Sequence, residues 1–488
     1  TMSIRCPLRP NVFPVAFPLA FPVVLLALSF LPCCQLSQAA EEESIDNPPN
    51  ILFIFADDYS YDSVAATGNS EIKTPSIDSI ARSGMTFSHA YNMGAWGGAV
   101  CVASRTMLNT GRFVWRAQKL NLKQEQTAQR TWSQMMSQAG YETYFTGKWH
   151  VRLKPADVFD HVGHVRGGMP KQTPEGYNRP AEGNDWTPWD ESKGGFWAGG
   201  KHWSEVVADD TLGFLKTAKE SDKPFFMYIA FNAPHDPRQS PKEFVDQYPA
   251  DKVKVPVSFQ SKYPYQDEMG CGPGLRDARL APFPRTESAI QVNRQEYYAI
   301  ITHMDREIGR ILKALEESGM SDSTYVFFTA DHGLACGNHG LMGKQNMYEH
   351  SVRVPFFVKG PGIEAGKSSA ARIYLQDAMA TSLDIADAKE TTHVAFQSLL
   401  PIINGTRDQQ YASIYGGYTK LQRMVIKDGW KLIMYPTAKA IRLYDLKNDP
   451  QELKDLAQDP GQKDRIEGLF QEFLQLQKTT NDSLKVEM

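Results

Sequence analysis

An α/β fold is predicted: a large, mainly parallel sheet flanked by helices, with a smaller antiparallel sheet plus helix near the C-terminus. Three observations carry it. Continuous apolar runs recur at residues 51–56, 225–231, 325–330 and 354–358, the pattern of strands buried on both faces. Helical periodicities separate these runs, and strands alternating with helices build parallel sheets covered on both sides. After about residue 400 the chain changes to short strands with a tight turn and one final helix.

Residues 1–40 have the form of an export signal. Arg5 and Arg9 give a positive start, apolar residues follow over 12–31, and Ser37-Gln38-Ala39 offers small residues for cleavage. Pro14, Pro18 and Pro22 leave only 23–31 uninterrupted, short for a membrane span. The expectation is a cleaved signal peptide and a periplasmic or extracellular protein. An acidic tether, 41–46, and Pro48-Pro49 lead to the first strand.

Helices are expected at 75–83, 131–139, 205–219 and 295–318. In the last, Ile300, Met304, Ile308, Ile311, Leu312 and Leu315 form one stripe. Residues 154–203, rich in Gly, Pro and Trp, and 236–290, rich in Pro and charge, are long for passive connections and read as binding loops. Residues 424–434 read as two strands joined at Asp428-Gly429, and 441–445 as a third. Ile466, Leu469, Phe470, Phe473 and Leu474 then share one helix face. The expected division is a large domain over 41–399 and a smaller α+β subdomain over 400–488.

The chain has 488 residues, 42% of them hydrophobic, and a formal charge of −4. Removing residues 1–40, whose only charges are Arg5 and Arg9, takes −4 to −6. No nucleic-acid partner is expected, and an anionic substrate must be drawn in by a local basic pocket. Cleavage leaves three cysteines, Cys101, Cys271 and Cys336. The last two either pair in an oxidising compartment or stay as buried thiols. Asn404-Gly405-Thr406 and Asn481-Asp482-Ser483 match the N-glycosylation pattern.

Two acidic pairs stand at strand ends: Asp57-Asp58 after 51–56 and Asp331-His332 after 325–330. Ligands in open α/β sheets gather at the carboxyl ends of strands. Three carboxylates suit a hard divalent cation, and the imidazole widens the choice of ion. Cys101 lies four residues ahead of Arg105 at the start of a helical run, where arginine and helix terminus stabilise a thiolate. Gly147-Lys148-Trp149-His150 presents a cation beside a proton acceptor. His235 closes Asn232-Ala233-Pro234-His235 at another strand end, a candidate proton donor or a structural histidine, and Lys344 is either a surface lysine or added charge at the same mouth.

In joint order these motifs resemble the type I sulfatases of the alkaline phosphatase superfamily, including secreted bacterial arylsulfatases and polysaccharide sulfatases. Cys101-Val102-Ala103-Ser104-Arg105, followed by Leu108-Asn109-Thr110-Gly111, is similar to the segment whose cysteine is converted to formylglycine. Residues 140–150 resemble the family's second signature, with Thr146 where a smaller or apolar residue is commoner. The similarity covers most of 50–360 and reappears at Leu443-Tyr444-Asp445-Leu446.

The resemblance implies a metal held by Asp57, Asp58, Asp331, His332 and the residue-101 side chain. Calcium is expected, with Mg2+ or Mn2+ as alternatives because the His332 position is more often Asn. Arg105 would support the nucleophile, with Lys148 and His150 beside it. His235 and Lys344 would lie near the sulfate and the leaving oxygen. The implied reaction is hydrolysis of a sulfate ester, of a sulfated saccharide or an aryl sulfate. One hydroxyl of the hydrated aldehyde attacks sulfur and the other later expels sulfate. A formylglycine-generating or sulfatase-maturating enzyme is the implied partner. Ala103, where many members carry Pro, bears on which maturation system acts.

Two rival readings stand beside this one. A phosphate or phosphonate ester hydrolase shares the fold, but would more often carry Ser or Thr and a second set of carboxylate and His ligands, which the sequence does not display. A carbohydrate-binding protein with an inactive site would use Trp186, Trp189, Trp197 and Trp203 either to stack on sugars or simply to pack the loops.

Overall fold

A computed structural model describes residues 48–181 and 183–487; the expected signal segment and the 41–46 tether lie outside the described residues. The first strand, β1 (Asn50–Ala56), is almost wholly buried and sits mid-sheet. β7 (Thr324–Ala330) lies on one side of it and β6 (Phe225–Ala230) on the other, both parallel. β4 (Glu142–Lys148) continues past β6, then β5 (His161–Arg166), again parallel. On the other flank β9 (Phe356–Lys359) runs antiparallel to β7 and to β2 (Met85–Tyr91), and β10 (Lys367–Tyr374) closes that edge parallel to β2.

The sheet is therefore mixed, with its central strands parallel. The apolar run at 354–358 is not one strand. Pro355 divides it into β8 (Arg353–Val354), paired with β2, and β9. Proline supplies no N–H to a ladder, which breaks the run there.

Aromatic side chains fill the middle of the core. Phe53, Phe55, Trp132 and Tyr228 contact one another edge-on or tilted at centroid separations of 4.9–5.8 Å. Burying each contributes about 1.5–3 kcal/mol. Helix Pro75–Ser83 matches its expectation, and helix Glu287–Glu317 buries Ile300, Met304, Ile308, Ile311 and Leu315. This helix begins before 295 because the Thr286 side chain accepts from the Ala289 N–H at 3.2 Å and caps it.

A second sheet has five strands, four of them from the C-terminal region. Its core is β11 (Ser413–Tyr418), β12 (Gln422–Lys427), β13 (Trp430–Tyr435) and β14 (Ala440–Asp445), all antiparallel. Asp428 and Gly429 have φ of 52° and 82°, as a two-residue hairpin turn requires. The edge strand β3 (Gly94–Ala95) comes from far upstream and pairs parallel to β11. Helix Lys463–Thr480 buries Leu469 and Phe473 in the same core.

Cys271 and Cys336 are free, buried thiols. No helix among the described residues is long and apolar enough to cross a membrane.

Candidate active site

The parallel register sets the site. Ala56 pairs with Ala330, Phe55 with Ala230 and Gly147 with Ala230, so four strands end at one level. Their extensions carry Asp57-Asp58, Asp331-His332, His235, and Lys148 with His150. Gly147 is required where β4 passes β6: its φ is +96°, and a Cβ there would fall 1.8 Å from the Ala230 carbonyl oxygen. Cys101 arrives on the first turn of helix Val100–Thr110, and Lys344 on the loop after β7.

One ligand atom from each of Asp57, Asp58, Cys101, Asp331 and His332 lies within 4.8 Å of all the others, and all five residues are buried. The Cys101 Sγ is 3.3 Å from His332 Nε2 and 4.0 Å from Asp58 Oδ1. Asp57 Oδ1 is buried without a hydrogen-bond partner. A buried carboxylate oxygen with no hydrogen bond, and only Arg105 Nη2 at 3.9 Å as counter-charge, fits a cation, which would satisfy it.

Three side-chain cations hold the carboxylates. Arg105 is fully buried; its Nε donates to Asp331 Oδ2 at 3.0 Å and its Nη1 to the Lys148 carbonyl at 2.7 Å. Lys148 donates to Asp57 Oδ2. Lys344 Nζ donates to both Asp58 oxygens, at 2.9 and 2.8 Å. Three cations thus cancel three carboxylates, and a divalent ion would leave the pocket net positive, ready for an anionic ester.

The field perturbs the titrating groups. Burial and the neighbouring Asp331 and Cys101 push Asp57 well above the usual carboxylate range, despite Lys148. Burial would raise the Cys101 thiol, but Lys148, Lys344 and His332 hold it well below its ordinary value. Against burial, Asp331 and Asp58 lift His332 to about 9. His150 is lowered, chiefly by burial.

His235 is held from both sides. Its Nδ1 donates to the Asp236 main-chain oxygen at 2.8 Å and lies 3.1 Å from Asp236 Oδ1. Its Nε2 faces Lys344 Nζ at 3.0 Å. Asp236 and Asp277 both contact Arg276, and Asp277 Oδ2 lies 3.7 Å from Lys344 Nζ. All ten residues singled out in the sequence converge here. Asp236, Arg276 and Asp277 were missed. Asp236 adjoins the His235 motif, the only local signal for it; Arg276 and Asp277 come from the 236–290 loop and carry none.

A second trio of candidate ligands does exist: Asp58, His235 and Asp236. The Lys344 ammonium touches Asp58 and His235 there, placing a fixed positive charge against two of the three groups.

The tryptophans of the 154–203 loop pack the loop itself. Trp186 and Trp197 are buried; Trp186 lies under Arg179 at 4.4 Å, and Trp197 Nε1 donates to the Pro188 carbonyl at 3.1 Å. Trp189 and Trp203 are covered by Lys242 and Arg166 at 5.2 and 4.6 Å. Asn109 Nδ2 donates to the Arg105 carbonyl at 2.8 Å, and Thr146 Oγ1 donates to Asp210 at 2.5 Å.

Comparison with known proteins bears on the fold and the family. The sulfatase family model matches residues 49–388, and a model of the N-sulphoglucosamine sulphohydrolase C-terminal region matches 337–479. An arylsulfatase of Clostridium perfringens is 27% identical, over 86% of this chain and 92% of its own. An N-acetylglucosamine-6-O-sulfatase of Bacteroides thetaiotaomicron is 26% identical, over 89% and 86%. Among solved structures, a protein in complex with its substrate D-glucosamine-2-N,6-O-disulfate superposes with a TM-score of 0.71 at 22% identity, covering 90% of this chain and 99% of its own. A phosphonate monoester hydrolase of Agrobacterium radiobacter gives 0.67 at 19%, covering 88% and 96%. At these identities the structural matches show the fold alone.

Proposed function

The chain belongs to the sulfatase family of the alkaline phosphatase superfamily and is a sulfuric ester hydrolase; from that premise we propose that it desulfates a saccharide with a formylglycine made from Cys101 and a divalent metal. The observation that carries this is the position of Cys101, 2% exposed on the first turn of its helix, with its Sγ against His332 and Asp58. The saccharide reading draws on relatives named for N-acetylglucosamine and ulvan substrates.

Asp57, Asp58, Asp331, His332 and the residue-101 side chain would hold the ion, taken as Ca2+ with Mg2+ or Mn2+ as alternatives; when bound, it supplies Lewis-acid charge beside the transferring group. A hydrated aldehyde at residue 101 would supply two hydroxyls on one carbon, one as a nucleophile toward sulfur and one for release of sulfate.

The chain's own residues do the rest. Lys148, Lys344 and Arg105 fix positive charge where negative charge collects on the sulfuryl oxygens. His235, aligned by Asp236 and adjoining Lys344, delivers a proton to the leaving alcohol oxygen. His150 takes the proton from the residue-101 hydroxyl as sulfate departs. We further propose export with removal of 1–40, division of the mature chain near 399/400, and maturation by a formylglycine-generating or sulfatase-maturating enzyme able to act on Cys-x-Ala-Ser-Arg.

The phosphate or phosphonate ester hydrolase is the competing reading, because phosphonate monoester hydrolases share the fold. Rates on matched aryl sulfate and aryl phosphate esters separate the two. A kcat/KM favouring sulfate is expected; preference for phosphate overturns the proposal.

A further inference from the structure

The chain has nine tryptophans. Eight lie against another aromatic ring or under a cation: Trp115, Trp186, Trp189, Trp203 and Trp430 each carry an Arg or Lys, and Trp132, Trp149 and Trp197 pack on aromatic neighbours. Trp96 has neither kind of partner among the described residues. It is half-buried and packs against the small-sheet core. It also lines a cleft of about 560 Å³.

Four parts of the chain wall that cleft. Trp96 follows β3, Lys119 ends helix Val114–Lys119, and Lys420 sits in the turn between β11 and β12; Asn481, past the last helix, completes it. Its one acid, Asp482, is paired with Arg423 at 2.7 and 2.9 Å. Lys119 and Lys420 are exposed and form no ion pair among the described residues. The cleft therefore presents an unpartnered aromatic ring and two unmatched positive charges.

A short segment joins the cleft to the reaction centre. Trp96 is five residues from Cys101, so at most roughly 18 Å of extended chain separates them. The intervening Gly98 and Ala99 are exposed. The Gly98 carbonyl accepts from Gln345 Nε2 at 3.0 Å, tying this segment to the Lys344 loop. A Cβ added at Gly98 would lie 3.9 Å from the Tyr418 hydroxyl, next in sequence to the Thr419–Leu421 wall of the cleft.

We propose that this cleft is a second saccharide subsite, taking a further sulfated sugar unit of the chain whose scissile ester lies at residue 101. The ring would stack on Trp96, with its sulfate between Lys119 and Lys420. This rests on the saccharide reading above. It assigns chain-length preference to the small sheet and gives it a direct part in substrate choice.

The test uses the full-length enzyme and two variants, Trp96→Ala and the double variant Lys119→Ala/Lys420→Ala. Turnover is measured on 4-nitrocatechol sulfate and on heparan-, carrageenan- and ulvan-type sulfated tetrasaccharides. For the tetrasaccharide that wild type hydrolyses, the ratio of its kcat/KM to that of the aryl sulfate is expected to fall by about tenfold in each variant. The loss should lie mainly in KM. In wild type the same ratio should fall with added salt, and in the lysine double variant much less. The double variant changes only exposed side chains, so it serves if Trp96→Ala fails to fold. An unchanged ratio in the folded lysine variant overturns the subsite alone. Wild type that cleaves the aryl sulfate but none of the tetrasaccharides overturns the saccharide reading, and the subsite with it.

Discussion

Gly168 gives the sharpest structural test of His150. A Cβ at position 168 would lie 2.5 Å from both Cε1 and Nε2 of the His150 ring and 3.0 Å from Nδ1. Ordinary contact begins at 3.4 Å, so the ring must retreat by the difference, 0.9 Å. The backbone of Gly168 lies outside the left-handed region, and the three atoms nearest to such a Cβ all belong to the His150 ring. Gly167 has open space where a Cβ would go and serves as the control. A displacement of about 1 Å at a reacting group costs on the order of 100-fold in rate. Gly168→Ala should therefore lower kcat on any sulfate ester by roughly 30–100-fold, while Gly167→Ala stays near wild type. Overpacking typically costs about 1–3 kcal/mol, so the fold should persist. The assay is kcat on 4-nitrocatechol sulfate, with urea unfolding of both variants. Gly168→Ala turning over at the wild-type rate would remove His150 from the proton path.

Other consequences follow from the same geometry. His235→Ala should cost about 10²–10⁴-fold on an unactivated sugar sulfate and far less on an aryl sulfate, whose oxygen leaves without help; unchanged sugar-sulfate turnover refutes the donor role. Asp236→Asn should reproduce the same leaving-group dependence at about 10–100-fold, whereas an equal loss on both ester types would make Asp236 merely structural. The fold should also lose stability in acid through buried neutral histidines. Burial lowers His339 to about 4 and His303 to about 3 from an ordinary 6.5. The unfolded chain gains their protons first as pH falls, so this stability is complete above 6.5 and lost down to the folded values. For His339 that is about 3 kcal/mol. Urea midpoints should fall between pH 6.5 and 4, with a shallower slope in His339→Asn; an equal slope in that variant contradicts the assignment.

What could be read in the sequence follows from how each element is buried. β1, β6 and β7 are covered on both faces, so their apolar runs stand out without a partner. β2 and β10 lie toward the edge, where Met85–Tyr91 and Lys367–Tyr374 mix polar and apolar residues and give no continuous run. β3 is two residues long and exists only because β11 pairs with it. The site motifs were legible because each sits beside its own strand end or helix start. Gly168 and Asp277 act across the chain, on His150 and Lys344, through contacts that no local spacing encodes. Whether the 154–203 tryptophans stack on sugars or pack their loops was open in the sequence for the same reason: their partners, Arg179, Arg166 and Lys242, are visible only once the loop is folded.

The central claim concerns residue 101, and the mass of the tryptic peptide ending at Arg105 tests it directly. In protein that turns over sulfate esters, that peptide should have lost the Cys101 sulfur and gained an aldehyde. An intact cysteine throughout a fully active preparation would contradict the account.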